Sequence, residues 1–174
     1  MNIMNRKLPK RLAVMTALQK LLEQISVDDG DCLDMAGKVL IGRVLYGADV
    51  IMQAPLLSVI EAPRPDFAIF AGTGNEARVD KWTLLIQGLM EDDKTANTAD
   101  HPYYFAQDVE KRLKRITALK QSGSPEYPLD HLLGDMISSV ELAPPVIRPP
   151  EAQVSGNAFF YIPIRLGIAV EIGE

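Results

Sequence analysis

Apolar residues recur every third or fourth position in two stretches of the chain and every second position in several others. From Pro9 to about Ile25, the residues Leu12, Met15, Leu18, Leu22 and Ile25 make one stripe, which predicts an amphipathic helix. Pro9 suits its first turn, where a missing N–H costs nothing. Asp28, Asp29, Gly30 and Asp31 then break the period as a polar turn. A second helix is predicted from Pro102, with Phe105, Val109, Leu113 and Ile116 on its buried side. Its acids Asp108 and Glu110 come early and its cations Lys111, Arg112, Lys114 and Arg115 come late, which complements the helix dipole. Asp108–Arg112 and Glu110–Lys114 are spaced to pair along the helix surface.

The rest of the chain reads as strands and turns. Val39 to Tyr46 and Leu56 to Glu61 predict two strands, and Asp66 to Phe70 a short third. Pro63 and Pro65 cannot continue a central ladder, since neither donates a hydrogen bond. Gly72-Thr73-Gly74-Asn75 predicts a turn. Between Lys81 and Leu89, Trp82, Leu84 and Ile86 point one way while Lys81, Thr83 and Gln87 point the other, with Leu85 as the exception. Glu91 to Asp100 is polar and predicts a loop. Leu129 to Met136 suggests a short helical turn and Ile137 to Leu142 a strand. Ala143 to Glu151 carries four prolines and is expected to be extended but not an inner strand. Ile162, Ile164, Leu166, Ile168, Val170 and Ile172 alternate through the C-terminus and predict a long strand with one buried face, with Pro163 placing its start at an edge or bulge.

Two helices and about five strands without regular alternation predict an α+β fold. The expected architecture is an antiparallel or mixed sheet with both helices packed on one face. With 174 residues the chain is expected to form a single domain over 1–174. That length buries roughly 70% of the unfolded surface without disulfides or metal. Composition is ordinary at 47% hydrophobic and 24% charged, which excludes global disorder. The lone Cys32 forms no internal bridge and suits a reducing compartment. No apolar run reaches a membrane span, and nothing at the N-terminus reads as a cleaved signal.

The formal net charge of −5 argues against a general nucleic-acid binder. Two basic groups interrupt it, Arg6, Lys7, Lys10, Arg11 and Lys20 before the first acid, and the Lys111–Arg115 cluster. Both read as solvated helix faces. Candidate chemistry is sparse. His101 and His131 lack zinc spacing, and Cys32 has no nucleophile motif around it. A calcium loop beginning at Asp29 lacks both the ligand at its fifth position and the glycine at its sixth. Gly72-Thr73-Gly74 completes neither a dinucleotide fingerprint nor a phosphate loop.

The order of the elements resembles the tail terminator proteins of long, flexible-tailed (siphovirus) bacteriophages. The likeness is carried by an opening helix over Arg11-Leu12 to Ile25 and strands bearing Gly42-Arg43 and Tyr46-Gly47. Leu57-Ser58-Val59-Ile60-Glu61 then leads to a proline-bearing loop, and Lys81-Trp82-Thr83-Leu84-Leu85-Ile86-Gln87-Gly88 forms a Trp-bearing strand. A helix of the type Ala106-Xaa-Asp108-Val109, the stretch Arg148-Pro149-Pro150 and the closing Phe159-Phe160-Tyr161 complete the order.

The resemblance implies a non-catalytic virion protein, without cofactor or metal, assembled in the host cytoplasm. It implies a ring of copies, typically a hexamer, that caps the finished tail tube at its head-proximal end. Its partners would be itself, the tail tube protein and a head-completion or connector protein, with DNA passing through and no membrane. Arg43, Tyr46, Arg148, Pro149, Pro150 and Tyr161 are then expected at the oligomer or tube interface, because Arg and Tyr favour interface hot spots. Glu91, Asp92 and Asp93, or the Asp28–Asp34 turn, are expected to line the pore, where acidity repels DNA phosphates. The alternatives are another neck part, such as a head–tail connector or tail-completion protein, a small hydrolase with a carboxylate-bound metal, or a nucleic-acid-binding adaptor.

Overall fold

The computed structural model describes residues 8–45, 53–62, 77–91, 100–148 and 157–171. Its elements are helix α1 (Lys10–Leu22), strands β1 (Val39–Ile41), β2 (Leu56–Glu61) and β3 (Ala77–Glu91), helix α2 (Asp100–Lys114), and strands β4 (Ser139–Leu142), β5 (Val146–Arg148) and β6 (Asn157–Glu171). They form a mixed six-stranded sheet in the order β1-β2-β3-β6-β4, with β5 also paired to β6. Among the described residues the β1–β2 pair is parallel and the other pairs are antiparallel. No described helix is long and apolar enough to cross a membrane.

The two longest strands, β3 and β6, are paired without interruption from Ala77↔Glu171 to Glu91↔Asn157. Alternation divides their side chains between two faces. Trp82, Leu84, Ile86, Phe160, Ile162, Ile164 and Leu166 point to one face and join Leu57 and Val59 of β2 in the main core. Both helices cover this face. From α1 come Val14, Met15, Leu18, Leu21 and Leu22, and from α2 come Phe105, Ala106, Val109 and Leu113. The α+β sheet with two main helices on one face is therefore the architecture of the folded chain.

Gly88 marks the tightest approach between the two long strands. It lies opposite Phe160, and a Cβ there would fall 2.1 Å from that ring's Cε1. The missing side chain lets the Phe160 ring lie across β3 and meet Phe105 of α2 edge-on, with centroids 5.1 Å apart. The sheet and the second helix are locked together at this point.

Several boundaries differ from the sequence reading, each for a local reason. Pro9 sits just before α1 rather than in its first turn. Leu12 is exposed, while Val14 and Leu21 are buried beside Met15, Leu18 and Leu22, so the stripe is rotated toward β1 and α2. β1 stops at Ile41 because Gly42 takes φ +68°, which turns the chain. α2 begins two residues earlier than Pro102. The helical turn after Leu129 is left-handed, with positive φ at Leu132, Leu133, Gly134 and Asp135. Three non-glycine residues there cost about 1–2 kcal/mol each, against which Leu133 and Ile137 are buried.

Pro163 lies inside β6 instead of at its start, which is Asn157. Its carbonyl accepts from the N–H of Ala143, so the N–H it lacks would face the same edge. That edge is where β4 gives way to β5: Leu142 pairs with Ile164 and Val146 with Tyr161, leaving three residues opposite two. Pro144 and Pro145 fill the break. The described part of the proline-bearing stretch, residues 143–148, thus runs along the edge, and Pro149, Pro150 and Glu151 lie outside the described residues. The predicted strand over Asp66–Phe70 and the turn at Gly72–Asn75 lie outside the described residues.

Gly88→Ala is expected to destabilise the fold by about 1–3 kcal/mol, because the added methyl must displace a fully buried ring. Urea denaturation measures the loss, and Gly88→Ala combined with Phe160→Leu should recover part of it. An unchanged midpoint for Gly88→Ala would contradict the packing described.

Candidate functional site: the sheet face opposite the helices

The second face of the sheet carries no helix among the described residues. Leu56, Ser58 and Ile60 of β2 point to it, as do Lys81, Thr83, Leu85, Gln87, Leu89 and Glu91 of β3. From β6 come Phe159, Tyr161, Pro163 and Arg165, and from the edge come Glu141, Val146 and Arg148. One end is closed by the segment after β1. Leu45 is buried there against Leu56 and Leu89, with Leu40 and Phe159 beside them. Gln87 holds it as a strand would, accepting from the Leu45 N–H at 2.8 Å and donating to its carbonyl at 3.0 Å. The Ser58 hydroxyl donates to the Arg43 carbonyl.

The opposite end is ionic. Glu141 bridges Lys81 and Arg165, each at 3.3 Å. Lys81 first, then Arg165, holds the Glu141 carboxyl below its ordinary range. Between the two ends runs a band of apolar side chains, Ile60, Leu85, Pro163, Tyr161 and Val146. The register sets Ile60, Leu85 and Pro163 side by side, and sets Tyr161 beside Val146. The first four are half-buried and Val146 is exposed. A face of this kind suits contact with another protein surface: apolar in the middle and charged at the rim.

Three of the residues proposed for an interface meet here. Arg148 and Tyr161 point to this face from β5 and β6, and Arg43 follows β1 on the segment that crosses it. Arg43 and Arg148 are exposed. Tyr46, Pro149 and Pro150 lie outside the described residues, as do Asp92 and Asp93. Glu91 is exposed at the end of β3, opposite Asn157. The sequence reading missed Ile60, Leu85, Pro163 and Val146. Leu85 had a signal, since it broke the alternation of its strand.

The acidic turn is engaged within the chain. Asp31 is buried and accepts from Lys111 at 2.7 Å, from Arg112 at 3.0 Å and from the Ser26 N–H at 3.2 Å. Arg112 also donates to Asp29 at 3.1 Å, and its side chain is only 3% exposed. Asp34 accepts from the Ser26 hydroxyl and the Val27 N–H. Asp29, Asp31 and Asp34 therefore tie their loop to α2 and to itself. Arg112 is a buried ion-pair partner and not part of a solvated face, and the Asp108–Arg112 pairing is replaced by these contacts. The first basic group is also engaged: Arg11 lies 4.9 Å from the Trp82 ring centroid and 3.8 Å from Glu61, and Lys10 donates to the Ala169 carbonyl. Several cations of both basic groups are thus engaged inside the chain instead of lying on solvated faces.

Burial alone would raise the Asp31 carboxyl, but Lys111, Ser26 and Arg112 together hold it below its ordinary value. Cys32 is exposed, yet desolvation and then the neighbouring Asp108 carboxylate push its thiol up to about 12. The Cys32 N–H donates to that same carboxylate at 2.7 Å. Among the described residues, no group of three or more His, Cys, Asp or Glu side chains is placed to hold a metal ion. No family model matches the chain, and no curated protein matches it.

Asp31→Asn removes the buried carboxylate from Arg112, leaves it the half-exposed Asp29 as its acidic partner, and should cost about 1–3 kcal/mol at neutral pH. A carboxyl held low in the folded state contributes fully above its ordinary value and loses that contribution as pH falls through its folded value. The gap between wild type and Asp31→Asn in urea denaturation should therefore narrow as pH drops below 3.8. A gap independent of pH would contradict the assignment. Cys32, although exposed, should react with iodoacetamide at pH 8 about tenfold or more slowly than free cysteine. Asp108→Asn should raise that rate, and equal rates in the two proteins would remove Asp108 as the cause.

Proposed function

We propose that this protein is a tail terminator of a long, flexible-tailed bacteriophage. In this role it caps the completed tail tube as a ring of copies, stops further polymerisation and offers the joining surface to the head connector. The observation that carries the reading is the sheet face that bears no helix among the described residues, with its apolar band between two polar ends and its Arg43, Arg148 and Tyr161. A protein that works only when assembled needs such a surface left free in each copy.

Two further features support the reading. A closed ring is built from heterologous contacts, so each subunit must offer two different complementary patches. The sheet's two edges are unlike: a three-residue parallel strand on one side and a proline-broken antiparallel strand on the other. The order of elements in the fold is also the order on which the resemblance rests, from α1 through the Trp-bearing β3 and α2 to β6. The net charge of −5 fits a ring through which DNA passes without adhering.

Electron microscopy of tails assembled with and without the protein tests the role. Its absence should give overlong tubes of scattered length, and adding the purified protein should cap one tube end and restore a single length. Tails of normal length in its absence would contradict the reading. Binding to portal-loaded heads in preference to tube ends would reassign the protein to the connector side of the neck.

A further inference from the structure

The turn after α1 contains a dipeptide able to react with itself. Of all the aspartates and asparagines in the chain, Asp29 alone is followed by glycine. A glycine amide nitrogen has no side chain beside it, so it can approach the carboxyl of the residue before it. Asp29 ends the short 3₁₀ turn Val27–Asp29, and its side chain is 52% exposed. Gly30 takes φ +82°, and a Cβ built on it would meet nothing within 4 Å. The reacting groups are thus open to water. Two contacts restrain them. The Gly30 N–H donates to the Val27 carbonyl at 3.0 Å, and the Asp29 carboxylate accepts from Arg112 at 3.1 Å, with Arg115 4.0 Å away.

We propose that Asp29–Gly30 is the chain's site of spontaneous isoaspartate formation, and that the 3₁₀ turn and Arg112 form the gate that slows it. The Gly30 nitrogen attacks the Asp29 side-chain carbon Cγ and gives up its proton. The OH of the carboxyl leaves with that proton as water, and a five-membered cyclic imide results. A second water then opens the imide. Attack on the side-chain carbonyl restores aspartate, while attack on the main-chain carbonyl leaves the backbone running through the side chain, with the carboxylate as a branch. One water is lost and one gained, and nothing is oxidised or reduced. Helical backbone at Asp29 turns the Gly30 nitrogen away from Cγ, so the ring closes only after rotation about the Cα–C bond. That rotation breaks the Gly30–Val27 hydrogen bond, and the carboxyl must come off Arg112. The reaction therefore follows the local opening of this turn. Its product lengthens the backbone by one methylene and displaces the carboxylate. One tie between the acidic turn and α2 is then lost, while Asp31 keeps its own.

Ageing the full chain in mildly acidic water enriched in oxygen-18 tests the proposal, because each opening of the imide leaves one heavy oxygen behind. Tryptic digestion in ordinary water then places Asp29 in the peptide 21–38, read by mass spectrometry. In urea, that peptide should take up label ahead of every other. In the folded protein, uptake at Asp29 should be about tenfold or more slower. Asp29→Glu should abolish it at this position, since the longer side chain closes no five-membered ring. Arg112→Lys, which keeps a buried cation, and Ser26→Ala, which removes the hydroxyl that caps the turn, should each speed uptake in the folded protein by about threefold or more. Circular dichroism checks that the variants fold. Ser26 is only half-buried, so its variant carries the test if Arg112→Lys does not fold. Label appearing first in another peptide in urea would overturn the site. Folded variants that label at the wild-type rate would overturn the gate.

Discussion

The uninterrupted pairing of β3 with β6 is the constraint on which the rest of the structure depends. The partners run in register from Ala77↔Glu171 to Glu91↔Asn157, and every other strand joins the sheet through one of these two or through β2. A slip of one residue would exchange the faces of a whole strand, sending Leu84 and Ile86 outward and Leu85 and Gln87 into the core. Gly88 and Phe160 oppose such a slip, since only at their crossing can the ring reach across β3 to Phe105. The same register lines up Ile60, Leu85 and Pro163 on the free face. Core and candidate contact surface are two consequences of one pairing.

Much of this was legible in the sequence because alternation and helical period are local properties. β2 was read to the residue, and the buried side of α2 through Phe105, Val109 and Leu113 was read correctly. What escaped the reading was set by distant partners. The rotation of α1 that exposes Leu12 follows from the elements it packs against, which lie far along the chain. Pro163 suggested a strand beginning, yet its missing N–H is harmless because the edge strand opposite is broken by Pro144 and Pro145. Nothing local to Leu132 announces a left-handed turn, which is held by the burial of Leu133 and Ile137.

Charge was the least legible property. Asp31 and Arg112 are 81 residues apart in the chain and 3.0 Å apart in the fold. Read alone, one belonged to a solvated acidic turn and the other to a basic helix face. Together they form a buried network that fixes the loop after α1 onto α2. On the sheet face the position is reversed. Arg148 and Tyr161 were singled out by residue type, and the register sets both on the sheet face opposite the two helices. Leu85 looked like a flaw in its strand, and it stands at the middle of that surface.

In the proposed function, the face covered by α1 and α2 folds the chain and the opposite face, which carries no helix among the described residues, joins it to its partners. Hydroxyl-radical footprinting of the protein, free in solution and then incorporated into tails, tests this directly. Leu85, Tyr161 and Val146 should lose reactivity on assembly, while exposed residues elsewhere, such as Leu129, should keep theirs. Equal reactivity of the three side chains in both states would contradict it.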